Sequence, residues 1–222
     1  MPGGLDFGWL SEAGYVLAHG VATTIFLIVV TTLFGSALSV AAAAARRGRL
    51  AWLRGLVAAY VELIRNTPFI VQLFFIFFGL PGVGLRLDAI PAAILAMTIN
   101  LSAYGTEIVR AGLDAVTAGQ REAGMALGLR PRTVFLRIVL PQAVRAVYPA
   151  LTSQIVITML ESAVVSQIAV RDLTYEADLI QSRTFRAFET YAVVTVIYLG
   201  LSLLLRRVLV AGGRRLLGQG AG

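Results

Sequence analysis

A chain of 222 residues that is 58% hydrophobic and 14% charged, with a mean hydropathy of +0.81, lacks the polar surface of a water-soluble domain and leaves no room for a sizeable one beside its apolar runs. The net charge of +7 comes from 19 arginines and no lysine, and these cluster at the ends of apolar runs, the pattern of a membrane protein and not of a nucleic-acid groove. The absence of cysteine excludes disulfides and thiolate-bound metals, and a lone histidine, His19, speaks against a histidine-built metal site.

The apolar runs predict an all-α membrane protein with five transmembrane helices, a single domain over residues 1–222. The first sixteen residues carry Asp6 and Glu12 and no basic residue, so they lack the positive start of a cleavable signal and suit an N-terminus outside the cytoplasm. The first crossing covers about residues 17–44; Thr23, Thr24, Thr31 and Thr32 can bond back to their own helix, and Arg46-Arg47-Gly48-Arg49 ends it. The second covers about 56–80, ended by Pro81-Gly82, and the third about 90–113. The fourth covers about 147–170, entered through Pro149. The fifth covers about 191–210, followed by Arg214-Arg215 and a glycine-rich tail expected to fray.

Charge bookkeeping orients this layout. With the N-terminus outside and the C-terminus in the cytoplasm, 15 arginines fall on cytoplasmic segments and helix ends, and 4 (Arg86, Arg171, Arg183, Arg186) fall outside. The outer segment from Arg171 to Glu189 is mixed in charge and reads either as a connector or as a docking surface.

Between the third and fourth crossings lies a polar loop, residues 114–146. Gln120-Arg121-Glu122-Ala123-Gly124-Met125-Ala126-Leu127-Gly128 reads as a short helix, with Glu122 in the first turn and Gly128 as a left-handed C-terminal cap. Arg130 is held extended by Pro131, which starts a second helix; Val134, Phe135, Ile138 and Val139 share one face of it, and Pro141 ends it. Small residues at Ala123, Gly124 and Ala126 would let another protein's backbone come close. The residues alone leave open an ordinary helical loop or a coupling surface.

Glu122-Ala123-Gly124, then Gly128, then Ile138, Leu140 and Pro141 at their spacing resemble the EAA loop of permease subunits of ATP-binding cassette importers, with Gly124 where that loop usually has alanine. Arg65-Asn66-Thr67-Pro68-Phe69, Ala103-Tyr104, Glu107, Arg110-Ala111-Gly112 and Gly119-Gln120 resemble the polar amino-acid permeases (the histidine, glutamine and arginine type). The segment Leu160-Glu161-Ser162-Ala163 departs from their usual Lys-Asp-Thr/Ser-Ser, which bears on the substrate more than on the family. The resemblance implies a type I importer-like permease in the bacterial inner membrane. It would pair with a second permease subunit, identical or homologous, with cytoplasmic ATPase subunits and with an extracytoplasmic solute-binding protein. Gln120, Glu122, Ala123, Gly124, Ala126, Gly128 and Leu129 would form the coupling surface. No catalytic residue and no cofactor is expected in this chain: a phosphate loop needs a lysine that it lacks, so ATP and magnesium would belong to the ATPase.

Charged and amide groups inside the apolar runs are candidates for the substrate pathway. Glu161 could meet an ammonium or guanidinium, or serve structurally. Asn100 could bond a substrate or another helix, and Gln72 and Gln154 are of the same sort. Glu62 with Arg65, and Glu107 with Arg110, are spaced to pair on one helix face. The cargo could instead be a compatible solute or an opine. A self-contained secondary transporter or channel would predict two related halves, and no internal repeat is visible.

Overall fold

In a computed structural model, which describes residue 5 and residues 7–216, the bundle is organised around a spine of two packed helices, α1 (Leu10–Arg46) and α4 (Ala89–Asp114). They approach closely because small residues line the seam. A Cβ added at Gly105 would lie 2.1 Å from Ser39 Oγ, and one at Gly35 would lie 2.8 Å from Leu101 Cδ2. Ser39 Oγ donates to Gly35 O at 2.7 Å within its own helix, as the serine must when buried. Thr23 bonds back to His19 O as expected, whereas Thr24 Oγ1 instead accepts from Leu173 N.

The second crossing is broken. α2 (Ala51–Arg65) and α3 (Phe69–Val83) meet at 112°. Pro68 supplies no N–H and sits extended at ψ 140°, so the first helix cannot run on through it. Gln72 staples the corner: its Nε2 donates to Ile64 O at 2.8 Å, Thr67 O at 3.0 Å and Thr67 Oγ1 at 2.9 Å. α3 loosens into a π turn (Phe75–Gly79) and a 3₁₀ turn (Leu80–Val83) that Gly84 closes at φ +88°. The expected Glu62–Arg65 pair does not form. The Arg65 guanidinium lies 5.5 Å above the Tyr104 ring instead, where the aromatic face draws it across to α4.

α5 (Ala118–Ala126) follows, and then α6 (Pro131–Ile168), which is longer than expected. Pro141 does not end it. A π turn at Phe135–Val139 precedes the proline and spaces out the carbonyls that its ring would crowd, so the helix passes through Pro141 and Pro149 and tightens into a 3₁₀ turn at Ser162–Ile168. The mixed-charge segment after α6 contains helix α7 (Leu173–Thr184), and α8 (Ala187–Leu216) is the last helix among the described residues. The glycine-rich tail beyond it lies outside the described residues. With α2 and α3 counted as one bent span, five helical units among the described residues are long and apolar enough to cross a bilayer.

Contacts show which elements share each end of the bundle. The N-terminal half of α1 meets α7, with Gly20 against the Leu173 backbone. Its C-terminal end meets the C-terminal end of α4 through Arg46–Glu107 and Arg47–Asp114 ion pairs, so α5 shares that end of the bundle.

Candidate functional site

The connection between α4 and α6 is built on a small apolar core of Val116, Val134, Val139 and Ala143, with Leu113 and Ile138 packed on it. α5 rides on that core through one glycine. Gly124 is buried, and a Cβ there would lie 2.9 Å from Ile138 Cδ1 and 3.0 Å from Val134 Cγ2. The close approach this glycine permits is therefore to α6 of its own chain, not to a partner's backbone. Arg121 Nη2 donates to Leu113 O at 3.3 Å and fastens the other flank.

The helix ends as its glycine requires. Gly128 has φ +74°; Gly128 N donates to Met125 O at 2.9 Å and Leu129 N to Gly124 O at 3.2 Å, the paired bonds of a left-handed cap. Pro131 opens α6 and Arg130 is extended at ψ 144°, as expected. Glu122 sits in the second turn of α5, not the first, because the helix begins at Ala118. Phe135, expected on the buried face, is 43% exposed: the π turn rotates it off the face that holds Val134 and Val139.

Gln120, Glu122, Ala123, Ala126, Gly128 and Leu129 are all exposed on this projection. Beside them stand two residues that sequence reasoning passed over, Met125 at 50% and Leu127 at 80% exposure. Two large apolar side chains on the tip of a nine-residue helix have nothing to bury them within this chain. The signal for them was their place between the two glycines, where the buried Gly124 turns its neighbours outward.

The four pathway candidates divide. Asn100 and Gln72 are brought together: Asn100 Nδ2 donates to Gln72 Oε1 at 3.0 Å, deep in the bundle, so both serve to pin the α2–α3 corner to α4. Asn100 Oδ1 is buried without a partner. Gln154 and Glu161 lie elsewhere, seven residues apart on one face of α6, with Thr158 between them. Thr158 Oγ1 is buried and unpartnered, and Glu161 is half-buried with no hydrogen bond or ion pair among the described residues. This stripe has spare acceptors and donors; the Asn100–Gln72 pair has largely used its own.

Two charged clusters mark the ends. At the α5 end, Glu107 takes Arg46 and Arg110 (Nη2 at 2.7 Å), and Asp114 takes Arg47 and Arg110 (Nη1 at 3.1 Å). The expected Glu107–Arg110 pair is thus one link of a chain across α1 and α4. At the other end, buried Glu176 receives Arg171 Nε at 2.8 Å. Asp172 caps α7 by accepting from Tyr175 N at 2.9 Å, and burial pushes its carboxyl up to about 6.

Comparison with known proteins agrees with this geometry. Residues 35–217 match the family model described as the inner membrane component of binding-protein-dependent transport systems. A probable glutamine ABC transporter permease, GlnM of Bacillus subtilis, is 41% identical over 151 residues, 68% of this chain and 70% of that protein. The glutamine transport system permease GlnP of Escherichia coli K12 is 34% identical over 217 residues, 96% and 99% of the two chains. A crystal structure of an amino acid ABC transporter with histidines superposes with a TM-score of 0.89 at 34% identity, covering 96% of this chain and 100% of that one. The chain therefore belongs to the inner membrane components of binding-protein-dependent transport systems, as a multi-pass permease subunit with the type I importer fold.

Proposed function

We propose that this chain is one of two permease subunits of a bacterial inner-membrane importer, that it carries a polar amino acid into the cytoplasm, and that ATP hydrolysis in a separate subunit drives it. The observation that carries the reading is the tip of α5, where Met125 and Leu127 stand exposed above a glycine-seated base. Each leucine-sized side chain buried in a partner's groove contributes about 1.5–3 kcal/mol. The end of the bundle that bears α5 faces the cytoplasm, in keeping with the arginine excess there. ATP and magnesium bind the ATPase. When ATP draws the two ATPase subunits together, the two α5 helices approach, each moves its α6, and the cavity opens toward the solute-binding protein. Hydrolysis lets them part.

One named relative is a glutamine transport system permease and the other a probable one, and the similar structure is an amino acid ABC transporter; this supports an amino-acid cargo. The Gln154–Thr158–Glu161 stripe supports a solute with an ammonium or guanidinium group, since a half-buried carboxylate without a cation is best satisfied by one.

Two measurements test this. Leu127→Asp should abolish co-purification of the ATPase while the permease still folds and dimerises; full retention of the ATPase would overturn the coupling role. Glu161→Gln should weaken uptake of arginine or lysine far more than of glutamine in vesicles loaded with ATP. Equal effects on cationic and neutral cargo would remove Glu161 from the pathway.

A further inference from the structure

Four arginines on the last helix are left unused by coupling and transport. Arg206, Arg207, Arg214 and Arg215 line one concave patch on α8 with Leu203, Val210 and Ala211. All four are exposed, and none is paired with a carboxylate among the described residues. No Asp or Glu follows Glu189 in the sequence. At about 100° per residue the seven lining residues fall on one half of the helix. The other half is taken by α6: Tyr148 Oη donates to Leu209 O at 2.5 Å, and the Tyr148 ring lies so close to Gly213 that a Cβ there would be 2.2 Å from Cε1. That contact fixes the rotation of α8 and turns the arginines away from the bundle.

Position along the helix identifies the ligand. Arg206 and Arg207 are the first charges after the apolar run of α8, so they stand where hydrocarbon gives way to headgroups. Arg214 and Arg215 lie about 12 Å further along the axis. Val210 and Ala211 form an uncharged floor between the two pairs, and Leu203 lies a turn into the bilayer, where an acyl chain would begin. Guanidinium groups are forks suited to phosphate oxygens.

We propose that this patch binds the headgroup of an anionic phospholipid in the leaflet at the C-terminal end of α8, with its phosphate over the uncharged floor between the two arginine pairs. The site is separate from the α5 tip and from the α6 stripe, and it stands whichever solute is carried.

The test uses the permease purified with its co-eluting partners in detergent, titrated with phosphatidylglycerol or phosphatidylcholine and read by native mass spectrometry. Phosphatidylglycerol should be retained in preference. Near an anionic surface each arginine contributes about 1 kcal/mol, or about fivefold, so the Arg206→Gln/Arg207→Gln and Arg214→Gln/Arg215→Gln doubles should each weaken retention roughly 25-fold. Lysine at the same positions should restore most of it, which separates lost charge from lost packing. Arg183→Gln, at the opposite end of the bundle, should change nothing. Three results would overturn the proposal: no preference for the anionic lipid, displacement of the lipid by glycerol phosphate at equal concentration, or unchanged retention in variants that shed the ATPase. The last would make the patch a protein-docking surface.

Discussion

Gly124→Leu isolates the seat of α5 from everything else in the bundle. An added Cβ already meets Ile138 Cδ1 at 2.9 Å, Val134 Cγ2 at 3.0 Å and Val134 Cγ1 at 3.2 Å. Alanine is bearable, because the nearest atom is the far end of a flexible isoleucine that needs to yield only a few tenths of an ångström, and helix propensity returns up to about 1 kcal/mol. Leucine drives three further carbons into the same wall, and overpacking of that kind costs about 1–3 kcal/mol. A nine-residue helix cannot hold itself together in water, so the strain is relieved by lifting α5 off α6. The seated arrangement then loses about 5- to 150-fold against the lifted one. Transport per ATP hydrolysed, measured in proteoliposomes with the ATPase and binding protein present, should fall by a factor in that range for leucine and stay near wild type for alanine. The purified permease should keep its oligomeric state in both. Leucine coupling as well as glycine would mean that α5 does not act through its contact with α6.

Other expectations follow from single features. Gly128→Val should cost about 1–2 kcal/mol at the left-handed cap and lower coupling, with Gly128→Asn much milder; equal behaviour of the two in the same transport assay would count against the cap. Gly105→Val should prevent stable expression, because a Cβ at that position meets Ser39 Oγ at 2.1 Å in the α1–α4 seam, and a folded, monodisperse product would refute the tight spine. Asp172 titrates near 6 when folded, above its ordinary 3.8, so the folded state holds the extra proton between about pH 4 and 6. Its contribution to stability is accordingly lost as pH rises through that window, by up to about 3 kcal/mol. Thermal unfolding of Asp172→Asn at pH 4 and pH 7 should show a smaller pH effect than wild type; identical differences would rule out this carboxyl as the source.

Much of the architecture was legible because it rests on local signals. Apolar runs located the spanning helices, and Pro131 and Gly128 marked one helix start and one helix end. The departures have a shared cause: they depend on what a residue meets across the fold. Pro141 reads as a stop, but the preceding π turn, supported by Val134 and Val139 in the α4–α6 core, lets the helix continue. The second crossing reads as one run over about 56–80; Pro68 breaks it, and Gln72, joined to Ile64, Thr67 and Asn100, fixes the corner. Arg65 sits at the right spacing from Glu62, yet the Tyr104 ring on another helix wins it. In the connection between α4 and α6 the motif singled out residues and not which way they face. Gly124 faces inward against Val134 and Ile138, ten and fourteen residues further along, and Leu127 is left facing outward.

The unbroken run of α6 has a mechanical implication. At 1.5 Å per residue its 38 residues make a strut roughly 57 Å long. Pivoted near its middle, such a strut that leans by about 5° swings each extremity by roughly 2.5 Å in opposite senses. On the proposed reading, Val134, beneath the ATPase, and Glu161, on the solute path, would be geared to each other through one continuous helix. Engine stroke and cargo release would then be simultaneous strokes of one lever, and any softening at the Phe135–Val139 turn would behave as a worn clutch: fuel consumed, nothing moved.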